Sequence, residues 1–173
     1  MLIRRAQPDD VDRIVTLRRL RTAWLQQRDT DQWSVGLTED GFISRVRDSI
    51  DDGDTWVIEH DGAVVATMAA DTWANADLWT ADELRTALIL HRMITDPEMA
   101  GRALGTQLLD HATEIARAAG RPWLRLDAWT TNKALHRYYE AQGFRHVRNA
   151  DHPISRSTAL FERWHGLADA NLQ

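Results

Sequence analysis

An α/β domain built on a mixed sheet is the fold class this sequence predicts, and three observations lead to it. Hydrophobic residues first recur at steps of three or four over positions 11–24, then change to strand-like runs from Trp56 onward. Residues 56–69, WVIEHDGAVVATMA, hold two β-prone runs joined by Asp61-Gly62, a dipeptide whose residues both tolerate positive φ and so close a tight hairpin. The second half alternates apolar strands with amphipathic helices.

Taken in order, Leu2 to Ala6 suit a short strand. In the following PDDVDRIVTLRRLRTAWL, Val11, Ile14, Leu17, Leu20 and Trp24 line one face of a helix. Pro8 sits at its start, where a missing amide proton costs nothing, and Asp9 and Asp10 suit the positive end of the helix dipole. A second helix is expected from Thr38 to Asp52, with Phe42, Val46 and Ile50 spaced four apart and Gly53 beyond its end. After the hairpin, DTWANADLWTADELRT (71–86) is acidic and carries Trp73 and Trp79. It reads as a surface loop whose tryptophans cover core, because paired exposed aromatics are uncommon; a substrate-side loop and a dimer contact are the alternatives.

ALILHRMIT (87–95) reads as a largely buried central strand, ended by Asp96-Pro97. A helix is expected from Leu104 to Ala119, closed by Gly120, and WLRLDAW (123–129) as the next strand. NKALHRYYEAQGF (132–144) is a helix in which one residue turns about 100°, so Asn132 and Tyr139 share a face while Tyr138 points elsewhere. FRHV and STALFERW supply the last strands. With neither repeat nor linker, one domain over 1–173 is expected.

Bulk composition narrows the chemistry. Twenty-one basic against 26 acidic residues, a formal net charge of −5, argue against nucleic acid or an anionic membrane as partner and mildly favour a cationic small molecule or peptide amine. The absence of cysteine excludes disulfides, thiolate metal sites and a cysteine nucleophile. The seven histidines show no metal-ligand spacing, so no metal is expected, and His91 in the central strand reads as a structural residue. MLIRRAQPDD lacks the apolar run of a signal peptide and no window approaches the length of a membrane span, which makes the cytoplasm the expected location.

The segment DPEMAGRALGTQLL (96–109) combines strand end, small-residue turn and helix start, a recipe for holding a phosphate on main-chain amides. It is neither a Walker loop nor a dinucleotide fingerprint. Together with LRLDAWTTNKALHRYYEAQGF (124–144), it resembles the GNAT superfamily of acetyl-CoA-dependent N-acetyltransferases, and the order of elements is similar to theirs over nearly the whole chain. The resemblance implies a mixed, mostly antiparallel sheet flanked by helices, with a splayed central strand pair. It implies acetyl-CoA as cosubstrate, its pyrophosphate held by Gly101, Arg102, Ala103, Leu104, Gly105 and Thr106, and its pantetheine arm by Met93, Ile94, Thr95 and Asn132. Two positions depart from the family pattern. Ala100 replaces the first basic or amide residue and Ala103 the middle glycine, so Ala103 is expected to serve only with a negative φ.

Acetyl transfer needs a neutral amine, a stabilised carbonyl oxygen and a proton for the departing thiolate. By resemblance, Tyr139 is the general acid, Asp127 the candidate base acting directly or through water, and an amide near Thr95 polarises the carbonyl; Tyr138 is then the packing tyrosine. The acceptor is expected to be a primary amine of a small molecule or peptide, set by the segments around Trp24, Trp33 and Trp73–Trp79. A non-catalytic acyl-CoA-binding module is the alternative, and the acidic balance counts against acetylation of charged tRNA. Pairing through exposed strands or helices is common in the resembled family, which leaves a homodimer open.

Overall fold

The computed structural model describes residues 1–28, 30–33 and 36–166. The elements are β1 (Leu2–Arg5), α1 (Val11–Gln26), α2 (Glu39–Asp51), β2 (Thr55–His60), β3 (Ala63–Asp71), α3 (Ala81–Arg85), β4 (Ala87–Thr95), α4 (Leu104–Ala118), β5 (Trp123–Trp129), α5 (Lys133–Ala141), β6 (Arg145–Asn149) and β7 (Ser157–Trp164). They form the expected α/β fold, a seven-stranded sheet flanked by helices with strand order β1-β2-β3-β4-β5-β7-β6. β4 and β5 run parallel, whereas β1–β2, β2–β3, β5–β7 and β6–β7 pair antiparallel. Among the described residues no helix is long and apolar enough to cross a membrane.

The chain divides into two compact units, residues 1–70 with 91–108, and residues 71–90 with 109–173. In the first, Asp61 and Gly62 both adopt positive φ, 50° and 77°, closing the β2–β3 hairpin with the turn that these two residue types tolerate. Thr38 caps α2 by accepting a hydrogen bond from the Gly41 amide. The apolar stripe of α1 (Val11, Ile14, Val15, Leu17) meets Phe42, Val46 and Ile50 of α2 over Val57, Val64 and Ile94 of the strands. Val57, Leu17 and Ile14 are sealed from water, each worth about 1.5–3 kcal/mol relative to an exposed side chain.

The second unit has its own core around Trp79, Leu78, Ala87, Ile89 and Leu160. Of the two loop tryptophans, Trp79 is buried as expected, but Trp73 is 67% exposed. The loop is also shorter than its sequence suggested. Thr80 and Glu83 form a reciprocal capping box that converts residues 81–85 into α3. Arg125 on β5 is buried, bonded to the buried Glu162 of β7 at 3.0 Å and to the Glu83 carbonyl, and its guanidinium carbon lies 5.4 Å from the Trp79 ring. Burying this charge is tolerated because its donors are matched by a carboxylate and a carbonyl.

Candidate active site

The first unit carries the strand end and the small-residue turn. The β4–β5 ladder runs from Ala87↔Trp123 to Leu90↔Leu126, while β4 itself continues to Thr95. Arg92, two residues past the last of these pairs, has φ 49°, a left-handed conformation that breaks the extended repeat inside the strand. At the strand's end the Asp96 amide donates to the Val65 carbonyl at 2.8 Å. Asp96 is buried; its carboxylate caps the next turn through the Glu98 amide at 3.0 Å and pairs with Arg13 at 2.8 Å.

The turn departs from expectation at Ala103. A negative φ was required of it, and its φ is 53°, with Gly101 at 83°. The reason lies in the direction the chain must take. Alternating the sign of φ over Gly101, Arg102, Ala103 and Leu104 turns successive amides toward one side, the concave arrangement that gathers an anion. Ala103 therefore occupies a glycine conformation at a cost of roughly 1–2 kcal/mol. Its carbonyl accepts from the Gln107 amide at 3.0 Å, and Gln107 Nε2 donates to the Arg102 carbonyl at 3.0 Å, which braces the turn. The amides of Leu104, Gly105 and Thr106 begin α4 and have no partner within the helix.

A contact invisible in the sequence reaches the same strand end. Arg21 of α1 donates through Nε and Nη2 to the Thr95 carbonyl at 3.1 and 2.7 Å, and through Nη2 to the Thr95 hydroxyl. With the Asp96 amide bonded to Val65, the Thr95–Asp96 peptide is engaged on both sides, so the Thr95 carbonyl is already taken.

In the second unit, Asp127 lies on β5 opposite Leu160, half-buried. Asn132 is the N-cap of α5, its Oδ1 accepting from the Leu135 amide at 3.0 Å. Seven residues on, Tyr139 is 7% exposed, its ring 5.6 Å from Phe144, 5.9 Å from Phe161 and 5.4 Å from Tyr138. The expected division of labour between the tyrosines is thus altered: Tyr139 is itself packed, and more deeply than half-buried Tyr138. Burial, with smaller contributions from Tyr138 and the Asp127 carboxylate, pushes the Tyr139 phenol above the ordinary tyrosine range. Asp127 and Tyr139 therefore sense one another, while Asn132 is committed to the helix cap. His136 packs at a tilt against Phe161, ring centroids 5.2 Å apart, and contacts the Trp129 carbonyl at 2.9 Å, a structural role. Among the described residues, no group of three or more acidic or histidine side chains is arranged to hold a metal.

A family model described as an acetyltransferase (GNAT) domain matches residues 51–146. The uncharacterized N-acetyltransferase YesJ of Bacillus subtilis is 32% identical over 129 residues, which cover 72% of this chain and 71% of that protein. Among solved structures, a GNAT-family acetyltransferase of Streptococcus agalactiae matches with a TM-score of 0.78 at 22% identity over 95% of both chains. The PaiA N-acetyltransferase of Thermoplasma acidophilum, solved in complex with coenzyme A, matches with a TM-score of 0.70 at 17% identity, over 95% of this chain and 98% of that one. At such identities the solved structures speak for the fold alone.

Proposed function

Because the chain belongs to the GNAT acetyltransferase family, we propose that it moves the acetyl group of acetyl-CoA to a primary amine of a small molecule or peptide. The observation that carries this reading is the turn at 101–104, whose alternating φ signs lead into the open amides of α4. Residues built this way fit a pyrophosphate: the anion meets main-chain N–H groups and the positive end of a fifteen-residue helix. Arg102, exposed on the turn, adds a mobile positive charge. Because the grip is made by the main chain, the alanines at 100 and 103 remove a side chain and a flexible residue without removing donors.

Acetyl-CoA supplies the activated thioester, and the chain's own residues supply position and protons. Met93, Ile94 and the Thr95 amide lie on the strand beyond its β5 ladder, where main-chain groups suit an amide-bearing arm. Asp127 accepts a proton from the incoming ammonium, directly or through water. This step is required because an aliphatic amine with a pKa near 10.4 is mostly protonated at neutral pH. Tyr139, its ionisation suppressed by burial, remains a hydrogen-bond donor through the working pH range and yields its proton only as negative charge develops on sulfur.

The test has two readouts. Acetyl-CoA at 100 times its dissociation constant stabilises a binding protein by about 2.7 kcal/mol, seen as a rise in Tm, and turnover releases free thiol with a productive amine. The absence of both a Tm shift at millimolar acetyl-CoA and thiol release across an amine panel would sink the proposal. A Tm shift without thiol release would select instead a non-catalytic acyl-CoA-binding module, the reading that the departures at Ala100 and Ala103 favour.

A further inference from the structure

Among the described residues, the half-buried Arg21 is held by neutral oxygens. Nε and Nη2 are spent on Thr95, while Nη1 makes no hydrogen bond among the described residues. A guanidinium carries five N–H donors, so the two on Nη1 remain. Asp96, the carboxylate whose charge reaches Arg21, is itself committed to Arg13 at 2.8 Å. No carboxylate lies within ion-pair distance of Arg21 among the described residues.

A second cation strengthens the local field. Trp24 has the Arg21 guanidinium carbon 4.7 Å from its ring centroid and that of Arg28 at 3.2 Å. The Arg28 guanidinium is fixed there by a hydrogen bond from Nη1 to the Trp24 carbonyl at 3.0 Å. Burial first, then the charge of Arg28, depress the Arg21 pKa, and Arg28 outweighs the opposing effect of Asp96. A partly desolvated cation without a counter-ion is destabilising until an anion arrives, and an Arg–carboxylate hydrogen bond is roughly twice as strong as a neutral one.

We infer that Arg21 is a specificity-determining residue for an acceptor amine that also carries a carboxylate, of the amino-acid class, with the carboxylate received by its Nη1 edge beside Thr95 and Arg28 adding long-range attraction. The inference rests on the acetyltransferase reading. It also reverses the cationic acceptor suggested by net charge, because a carboxylate some 4 Å from a guanidinium outweighs dispersed surface charge screened over a Debye length of about 8–10 Å.

Calorimetric titration of the full chain with L-amino acids and their decarboxylated counterparts, L-phenylalanine with 2-phenylethylamine and L-leucine with isopentylamine among them, reads binding without turnover. Thiol release on the same pairs reads specificity. The carboxylate member of at least one pair is expected to bind about tenfold more tightly and to show a correspondingly higher kcat/KM. Arg21→Gln abolishes that ratio, Arg21→Lys retains part of it, and Arg28→Gln weakens it without removing it. Equal or tighter binding of every decarboxylated amine overturns the inference, as does failure of every amino acid in the panel to bind. A loss in Arg21→Gln that falls equally on both members of each pair also overturns it, assigning Arg21 to holding Thr95 alone. Acetyl-CoA binding, measured separately by Tm, shows whether the parent reading fails at the same time.

Discussion

Ala103→Gly is expected to stabilise the protein, although glycine usually destabilises. Alanine in the left-handed region costs roughly 1–2 kcal/mol, and φ at this residue is 53°. Glycine removes that cost but returns about 0.5–1 kcal/mol through the greater freedom of its unfolded chain. The net gain is about 0.5–1 kcal/mol, which for a chain of this length raises Tm by about 1–4 °C. The control is Ala23→Gly, an exposed position inside α1 with ordinary helical geometry, where the same chemical change lowers stability by about 1 kcal/mol. Differential scanning calorimetry of the two variants beside the parent gives shifts of opposite sign. Because the donors proposed to face the phosphate are main-chain groups with either residue, the acetyl-CoA dissociation constant is expected to stay within about threefold. A fall in Tm for Ala103→Gly matching that of Ala23→Gly would refute the argument that the turn imposes left-handed geometry.

Tyr139→Phe is expected to lower kcat by about a hundredfold or more while leaving acetyl-CoA affinity unchanged, in single-turnover and binding assays. Its pH behaviour follows from the raised phenol pKa: the stability Tyr139 contributes is complete below the unfolded value near 10 and is lost as pH climbs past it, so a Tm profile from pH 8 to 11 should be flatter in the variant. At the acid end the sign reverses. Glu83 is bonded by Arg148 at 2.8 and 2.9 Å and by the Thr80 amide at 2.8 Å, and its pKa is lowered to about 2, chiefly by Arg148 against the opposing effect of burial. Its contribution is present above the ordinary glutamate value of 4.5 and is lost as pH falls from there toward about 2. Urea denaturation at pH 2.5 and 6 should therefore show a smaller difference for Glu83→Gln than for the parent, and equal differences would refute the assignment.

Local chemistry accounts for what was legible in advance. The strands at 87–95, 123–129 and 157–164 end where the apolar pattern ends, and the Asp61-Gly62 turn needs only its two residues to adopt positive φ. The same stretch was legible as a helix, α5, although Asn132 precedes it as the N-cap while Tyr139 lies within it. Each of these depends on interactions within a few residues, which composition and periodicity record directly.

Tertiary structure decided the rest. The acidic segment after β3 acquired α3 through a capping box whose Glu83 is also the anchor for Arg148, 65 residues away. Tyr139 rather than Tyr138 became the deeper ring because Phe144 and Phe161 close around it. Arg21 found Thr95 across 74 residues, and no periodic pattern encodes such a meeting. The sign of φ at Ala103 depended on where β4 ended and α4 had to begin, so the chain's path overrode the preference of the residue. Sequence alone was enough for the fold class, the family resemblance and the spacing of the candidate groups. Burial, backbone sign and long-range contacts emerged only when distant segments came together, because those quantities belong to neighbours in space rather than neighbours in the chain.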